Sequence, residues 1–205
     1  MVLCVTACST EKNTAQSRWW HSFNTRYNVY YNGSVAYIDG ALEKEQGNKD
    51  NFTEIIPLYT VGNKNSRELG KVNFDKAIKK SEKAIQLHSI KRRPIWDKNR
   101  RKTERDIEWL NRREYNPFLW KVWLMMGKAQ FHQGAFEEAA STFSYMSRLY
   151  QTQPSIYGKA RAWLAKTYVE QGWLYDAEDV IRNIQRDSLD WRAIKEWDYT
   201  YADYY

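Results

Sequence analysis

The sequence predicts an all-α fold, a solenoid of stacked helical hairpins with a loop-rich insertion near the N-terminus. Three observations predict it. Large apolar residues recur at intervals of three and four from about residue 74 onward, a spacing that lines one face of a helix and not of a strand. Nine Gly and four Pro in 205 residues are too few to punctuate many short strands, while ten Trp and fifteen Tyr supply bulk for helix packing. One segment also reappears at a fixed offset, since Gly134 and Gly172 stand 38 residues apart in matching surroundings.

Residues 1–7 run apolar into Cys8, and Val-Thr-Ala-Cys resembles a bacterial lipobox, in which the Cys is acylated after the preceding segment is cleaved. Lipid attachment is therefore expected at Cys8, with 1–7 as the end of a truncated lipoprotein signal. A full signal needs a basic n-region and an apolar stretch of about 7–15 residues, so the true start is expected upstream. Loss of Cys4 would leave no free thiol in the mature chain, which suits an exported protein. Residues 8–18 are polar and read as a tether. No run approaches the roughly 20 apolar residues that span a bilayer.

Residues 19–90 read as an N-terminal degenerate repeat or cap containing a loop at 48–73. In RYNVYYNGSVAYIDG, 26–40, the residues Tyr27, Tyr30, Tyr31, Ser34, Tyr37, Ile38 and Ala41 fall on one helical face, with Gly33 as a close-packing position. Too few residues separate Gly40 from Gly47 for a second helix, so a capping helix is expected, packed on a helix at 74–87 whose stripe is Phe74, Ala77, Ser81 and Ala84. The connecting segment 91–113 holds ten Lys or Arg against four Asp or Glu, and most of the net charge of +7 lies there. Arg92, Arg93, Arg100, Arg101 and Lys102 are candidate contacts for an anionic partner. A solvated linker and helix face explains the same charge.

Residues 114–190 form two repeats. GKAQFHQGAFEEAASTF from Gly127 aligns with AKTYVEQGWLYDAEDVI from Ala165. Trp123, Gly127 and Phe131 lie on one face, Gly134 closes the helix, and Ala139 is the small position of its partner, in a stripe with Phe136, Phe143 and Met146. The second unit repeats this with Leu164, Ala165 and Tyr168, then Gly172, then Leu174, Ala177, Ile181 and Ile184. Small residues at the tight contacts resemble the tetratricopeptide repeat, whose unit is about 34 residues. The extra residues are expected in the turn near QTQPS. Residues 191–205 place Trp197, Tyr201, Tyr204 and Tyr205 on one face, the first helix of a further, truncated repeat. Its bare aromatic face implies that the protein continues.

There is no phosphate loop, metal-ligand spacing or nucleophile motif, so no catalytic residue, cofactor or metal is expected. His21, His88 and His132 read as isolated, and no carboxylate is distinguished by position. Trp19, Trp20, Tyr115 and Trp173 are the aromatics that repeat packing explains least.

The stretch EYNPFLWKVWLMMGKAQFHQGAFEEAASTFSYMSRLY, 114–150, with Cys8 followed by STEKNT, RYNVYYNG, DNFTEIIPLY and the basic run before YNPF, resembles the SprE/PorW family of Bacteroidota. These are tetratricopeptide lipoproteins associated with type IX secretion and gliding motility. The resemblance implies a non-enzymatic outer-membrane lipoprotein facing the periplasm, a scaffold for protein partners of that machinery, with neither nucleic acid nor a small-molecule substrate as partner. A SusD-like glycan-binding lipoprotein and an outer-membrane assembly lipoprotein are the alternatives.

Overall fold

The computed structural model describes residues 10–53, 55–184 and 191–205, and it is an all-α helical-hairpin solenoid. The expected acylation site, Cys8, lies outside the described residues. The first helix, α1 (Ala15–Asn24), starts inside the expected tether, because the Thr14 hydroxyl accepts from the Ser17 amide and caps it. It runs through a π-helical turn, Thr25–Tyr30, into α2 (Tyr31–Gly47) without a break.

The 26–40 stretch is thus helical and packs on α3 (Lys71–His88), but its buried face is not the expected aromatic stripe. Val29, Gly33, Gly40 and Lys44 are buried, whereas Tyr27, Tyr31 and Ile38 are more than half exposed. Glycine decides this. At Gly40 and Gly70 the backbones of α2 and the start of α3 approach so closely that a Cβ on Gly70 would overlap the Gly40 carbonyl, and Gly70 has φ +74°. Of the expected stripe, Tyr30 packs on Phe118 and Tyr37 on Phe74, while Tyr27 and Tyr31 are left on the outer side.

The loop between α2 and α3 holds two short 3₁₀ turns, Thr60–Gly62 and Lys64–Ser66. Lys44 ties the loop down from α2, its ammonium donating to the Ser66 carbonyl at 2.6 Å and to that of Arg67 at 3.3 Å. Val61 inserts from the loop into the main core beside Phe131 and Phe136. On α3, Phe74, Ala77, Ser81 and Ala84 are all buried, as their spacing predicts.

Within the basic segment Thr103 and Asp106 form a capping box that starts α4 (Glu104–Leu110). Two hairpins follow. In the first, α5 (Leu119–His132) pairs with α6 (Phe136–Leu149); in the second, α7 (Pro154–Gln171) pairs with α8 (Leu174–Arg182). Both first helices end alike: Ala135 N–H donates to Gln130 O and Gly134 N–H to Phe131 O, and Trp173 and Gly172 do the same to Tyr168 and Val169. This is the Schellman pattern, which needs a left-handed residue, and Gly134 and Gly172 have φ +82° and +76°.

The extra length of the second repeat is not in the turn. That turn is short, and α7 instead has 18 residues against 14 in α5, starting at Pro154, whose missing N–H costs nothing at a first helical position. Leu174, expected in the α8 stripe, is half exposed, while Ala177, Val180 and Ile181 are buried. The last helix, α9 (Trp191–Tyr204), packs on α7. Its Trp197 is fully buried there and Tyr201 and Tyr204 lean on the same core, so that face is covered; Tyr205 points to solvent.

Candidate functional site: a lysine-lined groove

First helices α2, α5, α7 and α9 pack side by side in chain order, with α3, α6 and α8 behind them. The inner wall encloses a groove of about 420 Å³ lined by Tyr30, Tyr37, Trp120, Lys121, Lys128, Lys159 and Glu196, among others. The helical repeat turns Trp120, Lys121, Leu124 and Lys128 to one side of α5, next to the face on which Gly127 and Phe131 meet α6.

The cations are held on aromatic rings. Lys121 and Lys159 lie 5.5 and 5.4 Å from the Trp120 ring centroid, and Lys128 and Lys166 lie 4.5 and 4.4 Å from that of Trp163. Lys166 is buried in the core and meets Glu196 at 3.3 Å. Burial lowers the pKa of both Lys128 and Lys166, Glu196 opposing in each case. Lys121, Lys128 and Lys159 line the groove with the single carboxylate of Glu196, and Lys128 is short of water, so the site gains when a carboxylate arrives.

The histidines need correction. His21 and His88 are not isolated: their Nδ1 atoms are 3.0 Å apart and join α1 to the end of α3. Burial, then His21, pushes His88 down to about 4, so it is neutral at physiological pH. His132 is the last residue of α5 and stacks on Phe74 at 6.0 Å; burial and then Lys44, Lys128 and Lys166 push it down to about 3. Neither His88 nor His132 is poised as a proton carrier near neutral pH.

The candidate basic residues do not converge. Arg92 and Arg93 line a second groove of about 580 Å³ with Arg18 and Trp109, and Arg92 donates to the Glu11 carbonyl. Arg100 turns to Asp106 at 3.5 Å and lies over Trp96, and Arg101 and Lys102 are exposed. Of the repeat residues, Gly127 faces the Phe143 ring, where a Cβ would sit 2.5 Å from Cε1. Phe131, Ala139, Ala165 and Ala177 are buried in the core, Trp123 packs on Tyr145, and Tyr168 stacks on Trp173. Tyr115, among the aromatics that repeat packing explains least, is buried and its hydroxyl donates to the Leu110 carbonyl.

Sequence reasoning missed the groove's lysines. Lys128 and Lys166 occupy equivalent repeat positions, and that recurrence was the available signal.

It also missed a carboxyl pair at the junction of α7 and α9. Glu170 is raised to about 7 by burial and then by Asp203, and Asp203 is raised to about 6 by burial against the pull of Lys166. Both carboxyls are easier to protonate folded than unfolded. Their stabilisation is therefore complete below about pH 4 and is lost as the pH rises through 6 to 7. Glu170→Gln is expected to be more stable than the wild type above pH 7, by roughly 1 kcal/mol after solvent screening, and to lose that advantage towards pH 4. Paired melting curves across this range check it; an advantage independent of pH refutes it.

No family model and no curated protein matches this sequence.

Proposed function

We propose that the chain is a non-enzymatic scaffold, acylated at Cys8 and held at the periplasmic face of the outer membrane, that binds protein partners of the type IX secretion and gliding machinery. The groove grips an extended acidic segment of a partner. The observation that supports this is the set of lysines over Trp120 and Trp163, because a peptide carboxylate meets clustered cations there and replaces the water that burial has taken from Lys128. Tyr30, Tyr37 and Leu124 offer the apolar wall that fixes side chains between the charges.

Lys128→Met with Lys159→Met keeps the aliphatic stems and removes the charges. The double variant is expected to bind a glutamate-rich peptide at least about tenfold more weakly than wild type, and wild-type affinity is expected to fall as salt rises. Equal affinity of variant and wild type, measured calorimetrically, overturns the groove's role. Affinity purification of the acylated protein from native membranes tests the assembly. Secretion-ring and motor components support the reading; recovery of only a sugar-uptake porin, or of the β-barrel assembly machinery, replaces it with the glycan-binding or assembly alternative.

A further inference from the structure

We propose that the outer face of α1 and the π-helical turn docks on an anionic phospholipid surface. Trp19, Phe23, Tyr27 and Tyr31 follow one another at four-residue intervals and are 63%, 46%, 56% and 61% exposed, values that leave an aromatic ridge open to solvent. The ridge is ordered: Trp19 stacks on Phe23 at 5.5 Å and Phe23 meets Tyr27 at 4.8 Å. Trp20 is exposed beside them.

Two features choose a bilayer over a protein helix as the occupant. The ridge is aromatic, and Trp and Tyr rings, apolar in body and polar at one edge, settle at the depth of lipid headgroups. The charge is one-sided. No Asp or Glu occurs from Lys12 to Ile38, although the chain holds 25 of them. Arg18 and Arg26 rise from the same elements, and Arg92 and Arg93 join Arg18 in the adjoining groove. One carboxylate, Glu11, lies in that groove, 4.0 Å from Arg92. At the groove's rim Ile95 is 99% exposed. Aromatic rings flanked by arginines complement headgroup phosphates above acyl chains. The lipid is thus expected to touch the face opposite α3, leaving the lysine groove to partners. The proposal rests on the reading that the chain works at a membrane, but it does not require acylation.

The unacylated 205-residue chain is mixed with vesicles of phosphatidylglycerol or of phosphatidylcholine, and binding is followed by sedimentation and Trp emission. Preferential binding to phosphatidylglycerol, weakened by salt and accompanied by a blue shift, is expected. Trp19→Ser with Phe23→Ser and Tyr27→Ser is expected to lower partition at least about tenfold. Arg26→Gln with Arg93→Gln keeps the ridge and is expected to lose the lipid preference. Tyr175→Ser, at a position 90% exposed on α8, is expected to change nothing. Circular dichroism verifies that each variant is folded. Equal partition of the triple variant and wild type, no preference for phosphatidylglycerol, or self-association through the ridge without vesicle binding overturns the proposal. Peptide binding is measured without vesicles, so failure of the groove reading is separately visible.

Discussion

Trp163→Ala is expected to lower the melting temperature by roughly 10 °C, corresponding to about 3–5 kcal/mol for a large aromatic removed from a core. The side chain is only 5% exposed. It meets Phe131 edge-on at 5.4 Å, stacks on Phe143 at 6.0 Å and lies 6.3 Å from Tyr59, so it bridges α5, α6 and the loop before α3. Its loss would leave a cavity that the rigid hairpin cannot close. Lys128 and Lys166 also rest on this ring, so the peptide affinity proposed for the groove is expected to fall as well. Trp163→Phe separates the two effects, since a smaller ring keeps part of the packing and weakens the cation contact. Calorimetric melting and peptide titration of both variants check this; a melting temperature within about 2 °C of wild type for the alanine variant would show that the ring is not a packing centre.

Periodicity could not find Trp163. Residues 160 and 162–167 of α7 are all buried, because α5, α6, α8 and α9 surround that helix, and a helix covered on all sides has no single apolar stripe. The sequence stripe of Leu164, Ala165 and Tyr168 was one side of a helix that buries several. Where a helix has a wet face the reading succeeded, as for Phe74, Ala77, Ser81 and Ala84 on α3. Glycines were equally legible at Gly127, Gly134 and Gly172, since a close approach or a left-handed turn excludes most other residues.

The α2 stripe held only for Tyr30 and Tyr37, because the close approach of Gly33 to the Met125 side chain and of Gly40 to the Gly70 backbone outweighed side-chain size in turning Tyr27, Tyr31 and Ile38 outward. Val61 and the His21–His88 pair depend on contacts between distant segments, which local spacing does not encode. The groove is of the same kind. It needs four helices from separate parts of the chain before its lysines face one another.

Glu114→Ala is expected to destabilise the protein by about 4 kcal/mol, whereas Glu114→Gln is expected to cost only about 1. Among carboxylates that sequence position did not distinguish, Glu114 is 2% exposed at the corner before α5. Its Oε1 accepts from the amides of Ile90 at 2.9 Å, Tyr115 at 3.0 Å and Asn116 at 2.8 Å, and its Oε2 accepts from the Ser89 hydroxyl at 2.5 Å. Alanine removes every one of these acceptors and strands the buried N–H groups of Ile90 and Asn116, while that of Tyr115 keeps the Ile90 carbonyl at 2.9 Å. Glutamine keeps the oxygen that serves all three amides, and its amide nitrogen can donate to the Ser89 oxygen. Burial raises the carboxyl pKa despite the four donors that pull it down, so a neutral side chain with the same oxygen is expected to serve. The linkage sign follows: the wild type loses part of this stabilisation as the pH rises above the ordinary Glu value, and the glutamine variant does not. Urea melts of the three proteins at two pH values decide between acceptor geometry and charge. Equal losses for alanine and glutamine would mean that the negative charge, not the oxygen serving three amides, holds the α3 end against the start of α5.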